Sequence, residues 1–460
     1  MKRSRIVWIT VACMFFALVA WVTTVTAKSD TQKQKALIDQ AEIYINDEAY
    51  VRAEPLLDEA ASYSGKYAKA AEEGLKTVYL KLLDSDGYRR KYTNLLDAQM
   101  GRKGAEPAVF REAAEYYMSA AKETKALAVL RDGIAKTGDE ALRQYYEEHR
   151  YVYKMSRNVY QDVTAPCNGG VQVKLDGKWG LAATDGTLVI PCVYDKISTF
   201  SGVSVVKQGA EVFAVNSSNL RYALSHESIS DFGELNDDRI GVKTENGWVL
   251  ATADFTCGSL TVDGIGMYSG GVIPAKSGGK WGFMDSNGAE WSTAPQFDDI
   301  IRDEVGRCCA QDAVFVRVDD GVRLYVDGKM LDGSYEDAKP FADGWAAVKQ
   351  HGKWGFINTA GEIMIDFQYD NALSFGQHLA AVQQGRDWGY ISLQGKMVIA
   401  PNFLDARSFS GGSAAVKTAD GWRFITLLEY KERLAYENRN TGTGWDDRGG
   451  RCHPISGKRA

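Results

Sequence analysis

Gly352-Lys353-Trp354-Gly355-Phe356 is the stretch whose reading decides the fold of this chain. The phrase returns at Gly279–Phe283 and, ending in leucine, at Gly177–Leu181. Looser copies stand at Gly247-Trp248, Asp387-Trp388-Gly389-Tyr390 and Gly421-Trp422-Arg423-Phe424. Trp354, Trp388 and Trp422 follow one another at intervals of 34 residues, and a fixed period of that size is the mark of a repeat architecture. Taking the tryptophan as marker gives eight units, at Trp179, Glu211, Trp248, Trp281, Arg323, Trp354, Trp388 and Trp422. Glu211 and Arg323 are degenerate, but Phe213 and Tyr325 keep the aromatic two places on. The gap of 42 residues from Trp281 to Arg323 places an insertion around Ile301–Gln311.

Within a unit the pattern has period two. Ala346-Ala347-Val348-Lys349 reads as a strand of small residues, and His351-Gly352 as a turn. Trp354-Gly355-Phe356-Ile357 reads as a second strand with Trp354 and Phe356 on one face, because side chains alternate along a strand. Asn358–Gly361 turns the chain into a third strand, Glu362–Ile365, and Tyr369-Asp370 and Phe375-Gly376 follow. The tryptophan reads as a buried plate between neighbouring units. The glycine beside it removes a Cβ so that another backbone can approach, and the aspartate after the aromatic serves turn amides. Trp179, Gly180, Trp248, Trp281, Gly282, Trp354, Gly355, Trp388, Gly389 and Trp422 are therefore structural markers of the repeat. A ligand site has little use for six copies of one tryptophan.

On these motifs, residues 165–430 resemble the bacterial WG-repeat (KWG β-repeat) family. The resemblance implies a generic interaction scaffold, and it brings no catalytic residues with it. Four short strands per unit make small blades, and the Ala-Ala-Val strand suits a crowded place near an axis. Eight units closing into a propeller would hide the sheet edges; the alternative is an open β-solenoid or arc.

Ahead of the repeats, residues 31–160 carry a helical period. Leu37, Ala41, Tyr44 and Ile45 share one helical face; Ala53, Leu56, Leu57 and Ala60 share another. Further pairs are expected at Ala68–Leu83 with Tyr88–Gln99 and at Ala108–Ala121 with Thr124–Thr137, and a helix over Asp139–Met155 would cap the stack. Pro55 fits if its helix begins near Glu54. The pairs resemble tetratricopeptide repeats, with Ala41, Tyr50, Ala53 and Ala60 near the small and aromatic positions of that family. A plain helical bundle is the alternative.

Lys2, Arg3 and Arg5 precede a run without charge from Ile6 to Ala27, which as a helix would extend about 33 Å, the thickness of a bilayer core. Residues 1–30 therefore read as a single-pass signal anchor with the bulk of the chain outside the cytoplasm. The alternative is secretion after cleavage behind Val25-Thr26-Ala27. Residues 437–460 read as a disordered tail.

Fifty-four basic against 60 acidic residues leave a net charge of −6 and no basic stripe beyond the N-terminus, which argues against a nucleic-acid partner. The seven cysteines and five histidines show no metal spacing, and Asp84-Ser85-Asp86-Gly87 opens like a calcium loop without continuing as one. No phosphate loop or nucleophile elbow is present. The expectation is a membrane-anchored scaffold, not an enzyme, without cofactor or metal. It would bind the bilayer through Ile6–Ala27 and an unidentified protein or cell-wall polymer through its repeats. The alternative is a glycan-active hydrolase of propeller type or a lectin-like carbohydrate binder.

Overall fold

A computed structural model describes residues 29–222, 229–252, 256–310, 313–319 and 321–429. The apolar run Ile6–Ala27 and the 437–460 tail lie outside these residues. The chain divides into two compact units with a boundary at Glu147, earlier than the expected 160. Among the described residues no helix is long and apolar enough to cross a membrane.

The first unit is helical: α1 over 29–46, α2 (Tyr50–Ser62), α3 (Ala68–Lys81), α4 (Asp86–Met100), α5 (Pro107–Ser119), α6 (Glu123–Thr137) and α7 (Glu140–His149). Two glycines set how closely neighbours pack. A Cβ on Gly74 would lie 2.8 Å from Leu57, and one on Gly133 would lie 2.7 Å from Phe110, so α3 meets α2 and α6 meets α5 at glycine. Buried charges are paired between helices: the Lys76 ammonium donates to Glu112 at 2.6 Å, and Glu72 accepts from Gln99 at 2.9 Å and from Arg102. Two helix boundaries differ from expectation. Pro55 lies inside α2, which begins at Tyr50 rather than near Glu54. The helix expected over Asp139–Met155 stops at His149, and Tyr153–Met155 is a strand.

The second unit is an eight-bladed β-propeller. Its sheets span 162–194, 196–222, 231–252, 264–297, 299–330, 337–369, 371–403 and 405–427, here blades 1 to 8. Blade 6 shows the pattern: Asp337–Ala338, Trp345–Gln350, Lys353–Asn358 and Ile363–Tyr369, antiparallel and in chain order. The leading two-residue strand has too few side chains to show a period and is not legible in the sequence. Blade 8 takes its fourth strand from the other end of the repeat region: Tyr153–Met155 pairs with Ile425–Leu427, and Tyr160 bridges Trp422. This closure excludes the open arc and places the start of the β-structure at Tyr153 rather than 165.

Alternation then builds eight cores, one per seam. Ala346 and Val348 face blade 5, in a cluster with Phe315 and Leu324. Ala347, Trp354 and Phe356 face blade 7 and pack with Ala380, Val382 and Ile391. Trp388 does the same between blades 7 and 8, and Trp422 between blades 8 and 1. In the degenerate units the hairpin register corrects the markers by one residue. Val212 pairs with Lys207 and Val322 with Arg317, as Trp354 pairs with Lys349, so Val212 and Val322 hold the tryptophan position, not Glu211 and Arg323.

The glycine after the tryptophan has one structural cause. A Cβ on Gly180, Gly282, Gly355 or Gly389 would lie 2.5, 2.4, 2.7 or 2.5 Å from a carbonyl oxygen of the fourth strand. In these four blades that strand is seven residues long and bulged against its neighbour. Where Phe213, Val249, Arg323 and Arg423 replace the glycine, the described residues show no long bulged fourth strand. Among the described residues, blades 2 and 5 have two-residue fourth strands, blade 3 has isolated bridges at Val262 and Cys257, and blade 8 borrows Tyr153–Met155. The glycine therefore reports the bulged fourth strand (a close backbone crossing), not the tryptophan. Gly389→Ala should lower stability by about 1–3 kcal/mol, because the Cβ meets backbone that cannot step aside. Gly233→Ala, whose Cβ would find its nearest neighbour at 3.7 Å, should melt close to wild type in the same thermal scan.

Candidate functional site

The repeat markers sit in seams. Trp354, Trp388 and Trp422 are buried, and Trp179, Trp248 and Trp281 are half-buried in their own seam clusters. Cations cover several of them: Arg302 lies 4.0 Å over Trp281, Arg407 4.2 Å over Trp422 and Lys339 5.3 Å over Trp354. The lysine and aspartate of the motif close the same seams from the rim. The Lys353 ammonium donates to Asp370 at 2.6 Å, while the other oxygen of Asp370 accepts the Gly385 N–H at 2.7 Å in the hairpin of the next blade. Lys178 with Asp195 and Lys280 with Asp298 repeat the pair, and the lysine holds each carboxyl below its usual range. These exposed pairs supply register more than stability.

At the seam of blades 7 and 8 both partners change: Asp387 stands for the lysine and Leu404 for the acid. A cavity of about 380 Å³ opens there, lined by Leu404, Lys417, Asp420, Gly421 and Tyr160. A second cavity of about 260 Å³ lies between blades 4 and 5, where Phe283 and Tyr325 are joined by Ser292, Thr293 and Asp327.

The polar chemistry collects on the ring axis, in the loops between the first and second strands of the blades. Glu234 of blade 3 accepts the Thr199 N–H of blade 2 at 2.6 Å and the Gln172 amide of blade 1 at 2.9 Å. Gln172 donates also to the Ile197 carbonyl at 2.7 Å, and Asn168 donates to Asn236 at 3.0 Å. Lys196, the nearest cation, is spent on Asp231 at 2.7 Å and on the Phe232 carbonyl. Burial outweighs the two donors and pushes the Glu234 carboxyl up to about 7. Opposite, Arg407 of blade 8 meets Glu304 of blade 5 at 2.8 Å, and Cys167, Met267 and Val305 of blades 1, 4 and 5 form one buried cluster. Contacts between blades so far apart in the ring can only run through its centre.

Sequence reasoning did not find Glu234, Glu304 or Arg407. Their loops vary from unit to unit, so no period marks them, and Glu304 lies in the insertion. Among the described residues no group of three His, Cys, Asp or Glu is placed to hold a metal.

A family model for the WG-containing repeat matches residues 179–210, 331–354, 354–386 and 388–422, so the chain carries WG-containing repeats on blades 1, 6, 7 and 8. The unmatched middle contains the degenerate blades. No curated protein matches the chain in sequence. Among solved structures it is similar to PorZ, a surface component of the type-IX secretion system of Porphyromonas gingivalis, at 9% identity over 58% of this chain and 42% of that chain, with a TM-score of 0.33. It thus spans less than half the length of that protein. The WD40 β-propeller domain of Doa1 aligns at 11% identity over 60% of this chain and 96% of that chain, with a TM-score of 0.33. Hsv2p of Kluyveromyces lactis aligns at 9% identity over 51% and 92%, with a TM-score of 0.35. Likeness at that level carries no functional argument, and the propeller rests on the strand pairing itself.

Two outcomes follow from the seams and the axis. Trp388→Ala should cost about 3–5 kcal/mol, felt in hydrogen exchange by blades 7 and 8 first and not by the helices before 147. For Glu234 the folded carboxyl binds its proton near pH 7 and the unfolded one near 4.5, the ordinary value of a glutamate, so the folded state holds the extra proton between them. Stability should therefore fall as pH rises from about 4.5 to 7, by at most about 3 kcal/mol. Melting curves of Glu234→Gln across that window should be flatter than those of the wild type.

Proposed function

We propose that this chain is a binding scaffold anchored in the cell membrane through Ile6–Ala27, holding a helical array of tetratricopeptide type and a β-propeller outside the cytoplasm to engage a protein or an envelope polymer. One observation carries the interaction reading. The fourth strand of blade 1, Leu188–Tyr194, has no charged residue and exposes Leu188, Val189 and Val193, and Leu220 and Tyr222 of blade 2 are exposed as well. An uncharged outer strand with exposed apolar side chains is the kind of surface that monomeric proteins avoid and binding proteins keep. The repeat supports the same reading, since its recurring residues are used in seams and leave the outer surface and the loops to vary.

A carbohydrate-binding reading draws on the second cavity, where Tyr325 stands beside Asp327, Ser292 and Thr293. An aromatic plate with neighbouring hydroxyl and carboxylate groups suits a sugar ring.

Capture from detergent-solubilised envelopes with the fragment from Ser29 should retain a partner that Val193→Glu no longer retains. Equal retention by the variant removes this face from the proposal. A glycan array bound by the wild type and not by Tyr325→Ala would establish the second reading, and product formed from any glycan would replace both with a hydrolase. The full chain should stay with membranes through a carbonate wash; a mature N-terminus at Lys28 would establish cleavage instead.

A further inference from the structure

We propose that residues 303–307 of blade 5 are a movable plug in the propeller axis, latched to the opposite side of the ring by the ion pair of Glu304 with Arg407. The insertion occurs in one unit of the eight. In blades 6, 7 and 8 the equivalent loops run Lys339-Pro340-Phe341, Leu373-Ser374-Phe375 and Arg407-Ser408-Phe409, and they link side by side: the Ser374 hydroxyl donates to the Pro340 carbonyl at 2.5 Å and that of Ser408 to the Ser374 carbonyl at 2.7 Å. The blade 5 loop makes a different set of contacts. Its tip is folded on itself by Asp303, which accepts the Val305 N–H at 3.1 Å, the Arg307 N–H at 2.9 Å and the Arg307 side chain at 2.6 Å, while the Gly306 N–H donates to the Asp303 carbonyl at 3.0 Å. Such a tip moves as one body.

Two attachments hold this body across the axis. Val305 is buried in the cluster with Cys167 and Met267, and a Cβ on Gly306 would lie 3.4 Å from Met267. Glu304 reaches Arg407 of blade 8 at 2.8 Å with its side chain 43% exposed. The Arg407 Nε is buried and lies on Glu304 without making an aligned hydrogen bond, so this attachment is charge attraction that solvent reaches from the Glu304 side. Arg407 itself is fixed from the other sides, by the Trp422 ring, by Asp405 at 3.4 Å and by the Val163 carbonyl at 3.4 Å. Ile301 and Arg302 belong to the ring, in the seam core with Phe315 and over the Trp281 ring, whereas one valine and one ion pair seat residues 303–307, so that tip should leave before the ring opens.

Hydrogen exchange of the peptide covering 301–306, in the full chain at neutral pH, tests this. Glu304→Gln should exchange about tenfold faster than the wild type at low salt, and Glu304→Lys faster still, because a lysine there faces Arg407 and Lys339. Salt at 1 M should speed exchange in the wild type and slow it in Glu304→Lys, since screening removes an attraction in one and a repulsion in the other. The strand Trp345–Gln350 should exchange alike in all three, which separates release of the plug from loss of the fold. Wild-type rates in both variants, or a salt response of the same sign in both, would overturn the latch, as would equal acceleration of Trp345–Gln350.

Discussion

The close approach that recurs in the propeller is that of the fourth strand to the residue after the tryptophan, in blades 1, 4, 6 and 7. At 2.4–2.7 Å from a prospective Cβ to a carbonyl oxygen, only glycine fits beneath the crossing. The crossing bulges the fourth strand and brings its aromatic opposite the tryptophan, as Tyr369 stands opposite Trp354. From there the chain enters the next blade within two residues: Tyr369 ends one strand and Asn371 begins the next. The 34-residue step, the seam core and the rim pair all follow from that geometry.

Turn conformation obeys the same neighbour. The residue just before the first strand of each blade donates its N–H to the second strand of that blade in all eight units, and in six of them its side chain also caps the hairpin. Those capped hairpins place their turn residues at positive φ, as at His351 (52°) and Gly352 (76°). In blades 3 and 8 the capping residue is Ser230 or Leu404, and the hairpins read Thr-x-x-Gly, with Gly247 and Gly421 at φ of 129° and 131°. Thr244 and Thr418 donate to the glycine carbonyl within the turn at 3.1 and 3.0 Å, and Thr244 also accepts the Asn246 N–H at 3.3 Å. An uncapped hairpin at the last seam goes with a cavity, since nothing polar fills the place of the acid.

Much of this was legible. The period gave the blades, the alternation of Ala346, Ala347 and Val348 gave two faces, and the lysine, glycine and aspartate of the motif have roles that a strand pair alone suggests. The markers at Glu211 and Arg323 were off by one because the aromatic two places on was used as the guide; once the long fourth strand is gone that aromatic is free to shift, and the hairpin register is the better reference. The axis was illegible for a different reason. Glu234 matters because Gln172 and Thr199 reach it from two other blades; Glu234 and Thr199 stand in loops whose sequence differs from unit to unit, and Gln172 takes a strand position that is alanine in blades 6, 7 and 8.

By itself, the sequence determined what is local and repeated: strands of two faces, tight turns, and a glycine at each close crossing, because period and backbone permissiveness are properties of neighbouring residues. Tertiary structure alone decided the closure. Tyr153-Lys154-Met155 carries no feature of a strand and follows a helix directly, yet it completes blade 8 because Gly421–Leu427 leaves a row of backbone donors and acceptors unpaired. Which segment satisfies an open edge depends on where the ring brings its two ends, and that position is the sum of eight blade rotations, written in no single stretch of the chain.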